Sequence, residues 1–304
     1  MVQVVISAAV PPRIFAAEQL AKVLRAVCAE AGLDCGDAEL LRLAANAVFW
    51  LPKAQVVVRV SAPRARFAQV RTSVRVARWL SQIDFPAVRL HGEYDQPLVL
   101  GDYLATVWDY LPPGRTQPSP EALALLLRQL HSLIAPFPLP RWDPIADARQ
   151  SLARGNGLTE ADRAFLERWC DEVEAELELM TPALPAGVIH GDAWQGNLLM
   201  RSGTQVLCDL DQFSLGPREW DLVPTIVNAL RFGYTPKPVR RFQDIYGFDV
   251  TLWRGFSVLR KTRELVMLAG VAPVLSSSPL IAGEFARRMD GLRNGRDERW
   301  TPYG

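Results

Sequence analysis

Residues 188–221 read VIHGDAWQGNLLMRSGTQVLCDLDQFSLGPREWD, and this stretch decides how the chain is read. An apolar pair, Val188-Ile189, runs into His190-Gly191-Asp192. Asn197 follows Asp192 by five residues. Two short apolar strands are predicted at 197–200 (NLLM) and 205–209 (QVLCD), with a turn between them. The second strand ends on Asp209. Gly216-Pro217 and then Trp220-Asp221-Leu222 close the stretch. Carboxylates that merely cap loops do not predict this joint spacing.

Phosphoryl transfer needs a carboxylate to orient the incoming hydroxyl and hard oxygen ligands for a Mg²⁺ ion on the triphosphate. His190, Asp192 and Asn197 have the H-x-D-x-x-x-x-N spacing of a kinase catalytic loop, and Asp209 sits where a metal-binding aspartate is expected. The segment resembles the aminoglycoside phosphotransferase and choline kinase-like family, whose signature is HGDxxxxN followed by an apolar strand ending in Asp. The resemblance implies an α+β, two-lobed protein kinase-like fold with a small strand-rich N-lobe and a larger, mostly helical C-lobe. It implies that Asp192 is the catalytic, hydroxyl-orienting carboxylate and that His190 supports the loop. Asn197 and Asp209 would hold Mg²⁺, with ATP or GTP as co-substrate, and Asp221 would brace the loop from the next helix. Asp211 has two readings, a second-shell or substrate residue and a solvated turn carboxylate.

Upstream of the stretch, residues 15–31 show helical periodicity and end at Gly32. Residues 45–51 and 55–61 read as a hairpin turning at Pro52-Lys53, residues 64–81 as an arginine-rich amphipathic helix, and 87–91 and 97–108 as further strands. Arg59 lies inside the apolar run Val56–Val60, where a cation is expected to grip the nucleotide phosphates. An edge-strand arginine reaching solvent is the alternative. Arginine can bind phosphate bidentately, so it is a chemically reasonable exchange for lysine. Kinase-like folds pair that cation with a glutamate on the following helix. Here no Asp or Glu occurs between Ser61 and Gln82, and Ser73 falls at the glutamate's place. Arg59 lacks its usual partner unless Glu93 or Asp209 substitutes. Residues 41–50 contain no glycine-rich phosphate loop. The stretch Val107–Leu111 (VWDYL) reads as the interlobe hinge. Trp108, Asp109 and Tyr110 would offer backbone groups to the nucleotide base and rings to cover it, unless the two aromatics are ordinary core residues.

After Leu111-Pro112-Pro113-Gly114 the pattern turns helical, so lobes 1–110 and 111–304 are expected. Ser119-Pro120-Glu121 opens a helix with a cap and a first-turn proline. Helices are predicted over 120–135, 144–154, 160–180, 217–231, 251–269 and 279–293. Leu130-His131 resembles the family's Leu-His pair at a helix end, and His131 reads as structural. The acceptor is expected among Glu219, Trp220, Trp253, Arg260, Arg263 and Glu264. Arg260 and Glu264, four apart, also read as a helix-face ion pair. The resemblance implies a small-molecule hydroxyl acceptor, an aminoglycoside, amino sugar, amino alcohol or related metabolite.

Composition bounds the rest. Hydrophobic residues at 49% and charged residues at 22% fit a globular protein. A formal charge of +1 gives no electrostatic reason for a nucleic-acid or anionic-membrane partner. Thirty arginines against four lysines show that arginine stands where lysine is common. Cys28, Cys35, Cys170 and Cys208 form no CxxC pair, and their spacing suggests reduced, mostly buried thiols in the cytoplasm. The apolar start, residues 1–13, lacks the basic region of a signal peptide. The uncharged run Leu265–Gly283 contains Pro273, Pro279 and Ser276–Ser278, so it reads as a helix end and loop. No pattern specifies an oligomeric state. Two competitors remain: a nucleotide-binding pseudokinase without turnover, favoured by the missing glutamate, and a glycosyltransferase using Asp209-Leu210-Asp211 as a DxD metal element.

Overall fold

The computed structural model describes residues 17–43, 46–61, 67–114 and 117–303. The signal-peptide reading of residues 1–13, the start of the helix expected from 15, residue 45 and residues 64–66 lie outside them. So does residue 44, within the 41–50 segment read for a phosphate loop. In chain order the elements begin with α1 (Ala17–Ala31), β1 (Glu39–Leu43), β2 (Asn46–Leu51), β3 (Val56–Ser61), α2 (Phe67–Gln82), β4 (Leu98–Leu100) and β5 (Tyr103–Asp109). Then come α3 (Pro120–Leu130), α4 (Pro144–Ala153), α5 (Glu160–Leu179), β6 (Gly187–Ile189), β7 (Leu198–Arg201), β8 (Thr204–Leu207) and β9 (Ser214–Gly216). The chain ends with α6 (Val223–Phe232), α7 (Pro236–Tyr246), α8 (Phe256–Ala269) and α9 (Pro279–Arg293).

The chain divides into two compact units. One runs to Pro118 and includes Asn197–Phe213; the other comprises Ser119–Gly196 and Ser214–Gly304. The first unit is built on an antiparallel sheet ordered β1-β2-β3-β5-β4. In β3, Val56, Val58 and Val60 are fully buried, while Val57 and Arg59 point to the opposite face, as the two-residue period of a strand requires. Helix α1 covers the buried face with Leu20, Val23, Leu24, Val27 and Cys28, a stripe at helical spacing. The β7–β8 hairpin turns through Ser202 and Gly203, both at positive φ as a tight two-residue turn needs. Its Leu207 exchanges backbone hydrogen bonds with Pro86 and Val88, each 2.9 Å.

The second unit packs α4, α5, α8 and α9 around a core that includes Ile145, Leu166, Cys170, Val173, Leu265, Leu268, Phe285 and Met289. Ser119 caps α3 through a hydrogen bond from the Ala122 N–H, with Pro120 in the first turn, as expected. Strands β6 and β9 form a separate antiparallel ribbon. No helix among the described residues is long and apolar enough to cross a membrane; the uncharged run 265–283 is the end of α8, a 3₁₀ segment and the start of α9.

Several expected elements differ. The strand expected over 97–108 is a hairpin, because Gly101 takes a left-handed turn conformation between β4 and β5. Residues 87–91 make only isolated bridges at Ala87 and Leu90. The helix expected from 217 begins at Val223 after a 3₁₀ turn, consistent with Pro224, which lacks the N–H that an interior position would donate. Likewise 250–252 is a 3₁₀ turn and α8 starts at Phe256. Strands β1, β6 and β9 and helix α7 were not anticipated.

The cores make a prediction about thiols. Burial pushes the Cys28 thiol up to about 12 and the Cys170 thiol up to about 11. Neither carries appreciable thiolate at neutral pH. Native protein treated with iodoacetamide should therefore be modified at the partly exposed Cys35 and Cys208, leaving Cys28 and Cys170 unmodified until the protein unfolds. Peptide mass mapping that finds all four alkylated at similar rates in native protein would contradict this.

Candidate active site

The second unit holds the HGD loop. Strand β6 delivers the chain into His190, which is fully buried. Gly191 follows at φ +85°, a conformation costly for any residue with a Cβ. Asp221, in the 3₁₀ turn Arg218–Leu222, is also fully buried. Its two carboxylate oxygens accept from the His190 N–H at 2.7 Å and the Gly191 N–H at 2.8 Å. His131 Nε2 lies 3.0 Å from the same carboxylate, and His131 Nδ1 lies 2.8 Å from the Tyr246 hydroxyl. The Trp220 indole N–H donates to the Gly191 carbonyl at 2.7 Å. The bracing expected of Asp221 is thus what the structure contains, and His131 is structural, as read. Asp192 emerges from this clamp with its side chain 31% exposed and its Oδ1 2.8 Å from Arg263 Nη1 on α8. His190 Nδ1 accepts from the Asp192 N–H at 3.3 Å.

The first unit holds Arg59, Asn197 and Asp209. The backbone N–H of Cys208 donates to the Asn197 carbonyl at 3.0 Å, extending the β7–β8 ladder, so Asn197 and Asp209 sit at the same end of one hairpin. Asp209 is a non-glycine residue in the left-handed region (φ +57°, ψ +64°), with its side chain 49% exposed. Such a conformation costs about 1 kcal/mol or more and persists where the surroundings hold it. The two oxygen donors fit Mg²⁺, which takes one or two protein oxygens and completes its shell from phosphate and water. No cluster of three or more His, Cys, Asp or Glu side chains suited to a metal occurs among the described residues.

Arg59 does have an acidic partner, and it is Asp211. Arg59 Nη1 donates to Asp211 Oδ1 at 3.1 Å and Nη2 to Asp211 Oδ2, a bidentate pair; Asp209 Oδ1 is farther, 3.8 Å from Nη1. Ser73, on α2 at the place expected of a glutamate, donates its hydroxyl to Asp211 Oδ1 at 2.7 Å. Burial alone would lower the Arg59 pKa, but Asp211 and then Asp209 outweigh it and hold the guanidinium above its ordinary value. Asp211 is therefore neither a solvated turn carboxylate nor open to a substrate.

Other candidates are placed differently from expectation. The N–H groups of Asp109 and Tyr110 donate to Arg89 O (3.0 Å) and Gln55 O (2.9 Å). These two donors are consumed inside the unit and are not offered to a base. Tyr110 stacks on Trp50 at 4.8 Å between centroids, and the Trp108 indole donates to Thr106 at 2.8 Å. Glu219 is fully buried, with Oε1 accepting from the Ala183 and Leu184 N–H groups. Trp220 is buried against Trp142. Glu264 is buried between Arg231 (2.8 Å) and Arg260 (2.9 Å), so the ion-pair reading of Arg260 and Glu264 holds. Glu219 and Trp220 are held inside the second unit and do not present themselves to an acceptor, whereas Glu264 also lines a cavity of about 320 Å³ with Trp169, Glu176 and Lys261. Arg263, read as lining an acceptor pocket, touches Asp192. Their separation of 71 positions carries no local signal of the contact. The Asp211 partnership did leave one: with no acid on α2, Asp211 is the next carboxylate after the strand-terminal Asp209.

The antiparallel sheet, the helical second unit and a braced HGD loop define a kinase-like phosphotransferase fold. The model of the phosphotransferase enzyme family matches residues 37–259, and the chain belongs to that family. Among solved structures, the amicoumacin kinase hAmiN in complex with AMP-PNP, Ca²⁺ and Ami resembles it over 94% of this chain and 98% of that one, with a TM-score of 0.71 and 13% identity. The aminoglycoside phosphotransferase APH(3'')-Id from Streptomyces rimosus covers 81% and 98%, with a TM-score of 0.59 and 19% identity. The choline kinase LicA from Streptococcus pneumoniae covers 91% and 99%, with a TM-score of 0.64 and 12% identity. At these identities the likeness shows the fold alone. No curated protein sequence matches the chain.

Proposed function

We propose that this protein moves the γ-phosphoryl group of ATP or GTP to a hydroxyl of a small molecule, in the cytoplasm where the donor is found. The observation that carries the reading is Asp192: a partly exposed carboxylate on a loop whose preceding N–H groups are both fixed by a fully buried aspartate. Such a carboxylate can hold an acceptor hydroxyl in line and take its proton as the new O–P bond forms and the bond to the nucleoside diphosphate breaks. Asn197 and Asp209 would hold Mg²⁺, which would neutralise phosphate charge. Arg59 would steady the phosphates.

The acceptor class is the finer part of the proposal. The solved relatives include kinases crystallised with amicoumacin and with streptomycin, which supports a hydroxyl-bearing antibiotic, amino sugar or related metabolite. The pseudokinase alternative drew on the missing glutamate, and Asp211 supplies the charge that glutamate would bring. The glycosyltransferase alternative needs Asp211 as an open metal ligand, whereas Asp211 is engaged by Arg59 and Ser73.

Calorimetry with AMP-PNP tests the metal assignment. Wild-type protein should bind it in Mg²⁺ and bind much less in EDTA. Asp209→Ala should lose at least about tenfold in Mg²⁺-dependent affinity, since even outer partners of metal ligands are worth that much. Binding by Asp209→Ala with an unchanged Mg²⁺ requirement would refute the role of Asp209.

A further inference from the structure

We propose that the second unit holds a separate binding site for a neutral, polyhydroxylated ring, such as a monosaccharide or a cyclitol, on the side of α8 turned away from Asp192. The site is independent of the phosphotransfer reading.

A cavity of about 320 Å³ lies between α5, α8 and the end of α9, a size suited to a small ligand. Its α8 wall is Lys261 and Glu264, and its α5 wall includes Trp169, Glu172 and Glu176. Lys261 and Arg263 are two residues apart on α8 and so project about 160° apart. Arg263 meets Asp192 at 2.8 Å, whereas Lys261 crosses to Glu176 on α5 at 2.7 Å. The cavity and the HGD loop therefore lie on different sides of the helix.

Charge decides the class of ligand. Lys261 is paired with Glu176. Glu264, 4% exposed, is paired with Arg231 and Arg260, neither of which lines the cavity. Of the charged lining residues this leaves Arg168 and Glu172, one of each sign and one turn apart on α5. An ammonium or a carboxylate entering here would meet a like charge as readily as an opposite one.

Hydrogen-bonding capacity remains. Both arginines donate to Glu264 Oε1, at 2.8 and 2.9 Å, and none of the described residues donates to Oε2. Lys261 gives one of its three N–H groups to Glu176 Oε1. The Trp169 indole N–H donates to no described residue. Its ring is half-buried and steadied by Phe165, 6.0 Å away between centroids. Donors and acceptors thus surround an aromatic surface. A sugar ring is complementary to both: it has C–H groups on its faces and hydroxyls at its rim, each a donor and an acceptor. An aliphatic ligand would leave Glu264 and Lys261 unanswered.

Binding is read by NMR on ¹⁵N-labelled full-length protein, without nucleotide. The loss of one of nine indole resonances in Trp169→Phe identifies Trp169. Titration with glucose, galactose, mannose and myo-inositol should move that resonance along a saturating curve for at least one of them. Lys261→Gln should weaken that binding about fivefold, the worth of one hydrogen bond. Trp169→Leu, followed at the Lys261 amide, should weaken it at least about tenfold, since the ring face and the indole donor go together. Should Trp169→Leu fail to fold, Lys261→Gln decides, because that side chain is 49% exposed. No saturable shift with any of the four probes, or unchanged affinity in the folded variants, overturns the site. Tighter binding of choline or acetate overturns the neutral class. A probe phosphorylated from Mg²⁺·ATP by wild type but not by Lys261→Gln would place the cavity in the acceptor site and overturn its separateness. Because binding is read without nucleotide, a protein that transfers no phosphate can still bind the sugar, so the two readings fail independently.

Discussion

Asp192→Asn is expected to bind Mg²⁺·AMP-PNP like wild type and to transfer phosphate about 10³-fold more slowly, within the usual range for a lost general acid–base group. Asparagine keeps the shape of the side chain and an oxygen for Arg263, so the loop should survive. What it loses is the charge that holds the acceptor hydroxyl and the capacity to take its proton. Nucleotide affinity should be spared, because the candidate phosphate and metal residues, Arg59, Asn197 and Asp209, belong to the other structural unit. Arg263 gives the same prediction an independent handle. Its side chain is 11% exposed, and its Nη1 lies 2.8 Å from Asp192 Oδ1. Arg263→Ala should lower kcat while leaving nucleotide affinity unchanged, because it frees the carboxylate to rotate without touching the donor side. Full activity in Asp192→Asn would remove Asp192 from the mechanism.

The largest expected effect on stability is at Asp221. Its two oxygens each accept a backbone N–H, from His190 and from Gly191, and His131 approaches the same group. Asparagine has one acceptor oxygen; its NH₂ would face an N–H that has no other place to donate. One charge-assisted bond is lost outright and the other weakened, in a fully buried setting. Asp221→Asn should therefore destabilise the protein by about 3 kcal/mol, taking such bonds at roughly 1.5–3 kcal/mol each. Urea unfolding followed by circular dichroism measures it, and a midpoint within error of wild type would contradict the account. Activity should fall as well, since the misaligned loop carries Asp192.

How far the sequence could be read depended on whether the signal was local. The HGD loop, Asn197 and Asp209 lie within twenty residues, and their spacing was sufficient to identify the family. The β2–β3 hairpin and α1 announce themselves through dense apolar periodicity. Strands β6 and β9 are three residues long, too short for any pattern to show, and they form by pairing with each other and, through Leu215, with the segment around Arg141. Helix α7 had readable signals: Thr235 before Pro236 at its start, Gly247 at its end, and Val239 and Phe242 three apart. Its many polar residues and two prolines hid them. At the site, the contacts that escaped are those made across the fold. Arg263 reaches Asp192 over 71 residues, and Arg59 reaches Asp211 over 152. The departure at Ser73 was visible as a missing charge, whereas its remedy required the turn after β8 to be seen against α2.

Direct phosphoryl transfer to a small-molecule hydroxyl can be read from the mass of the acceptor. Purified protein, with Mg²⁺ and ATP or GTP, should be incubated with a panel of aminoglycosides, amino sugars, sugars and amino alcohols, and each acceptor weighed by mass spectrometry. Members of one acceptor class should gain one phosphoryl group with wild-type protein and none with Asp192→Ala. No gain on any acceptor despite tight Mg²⁺-nucleotide binding, or an equal gain with Asp192→Ala, would contradict it.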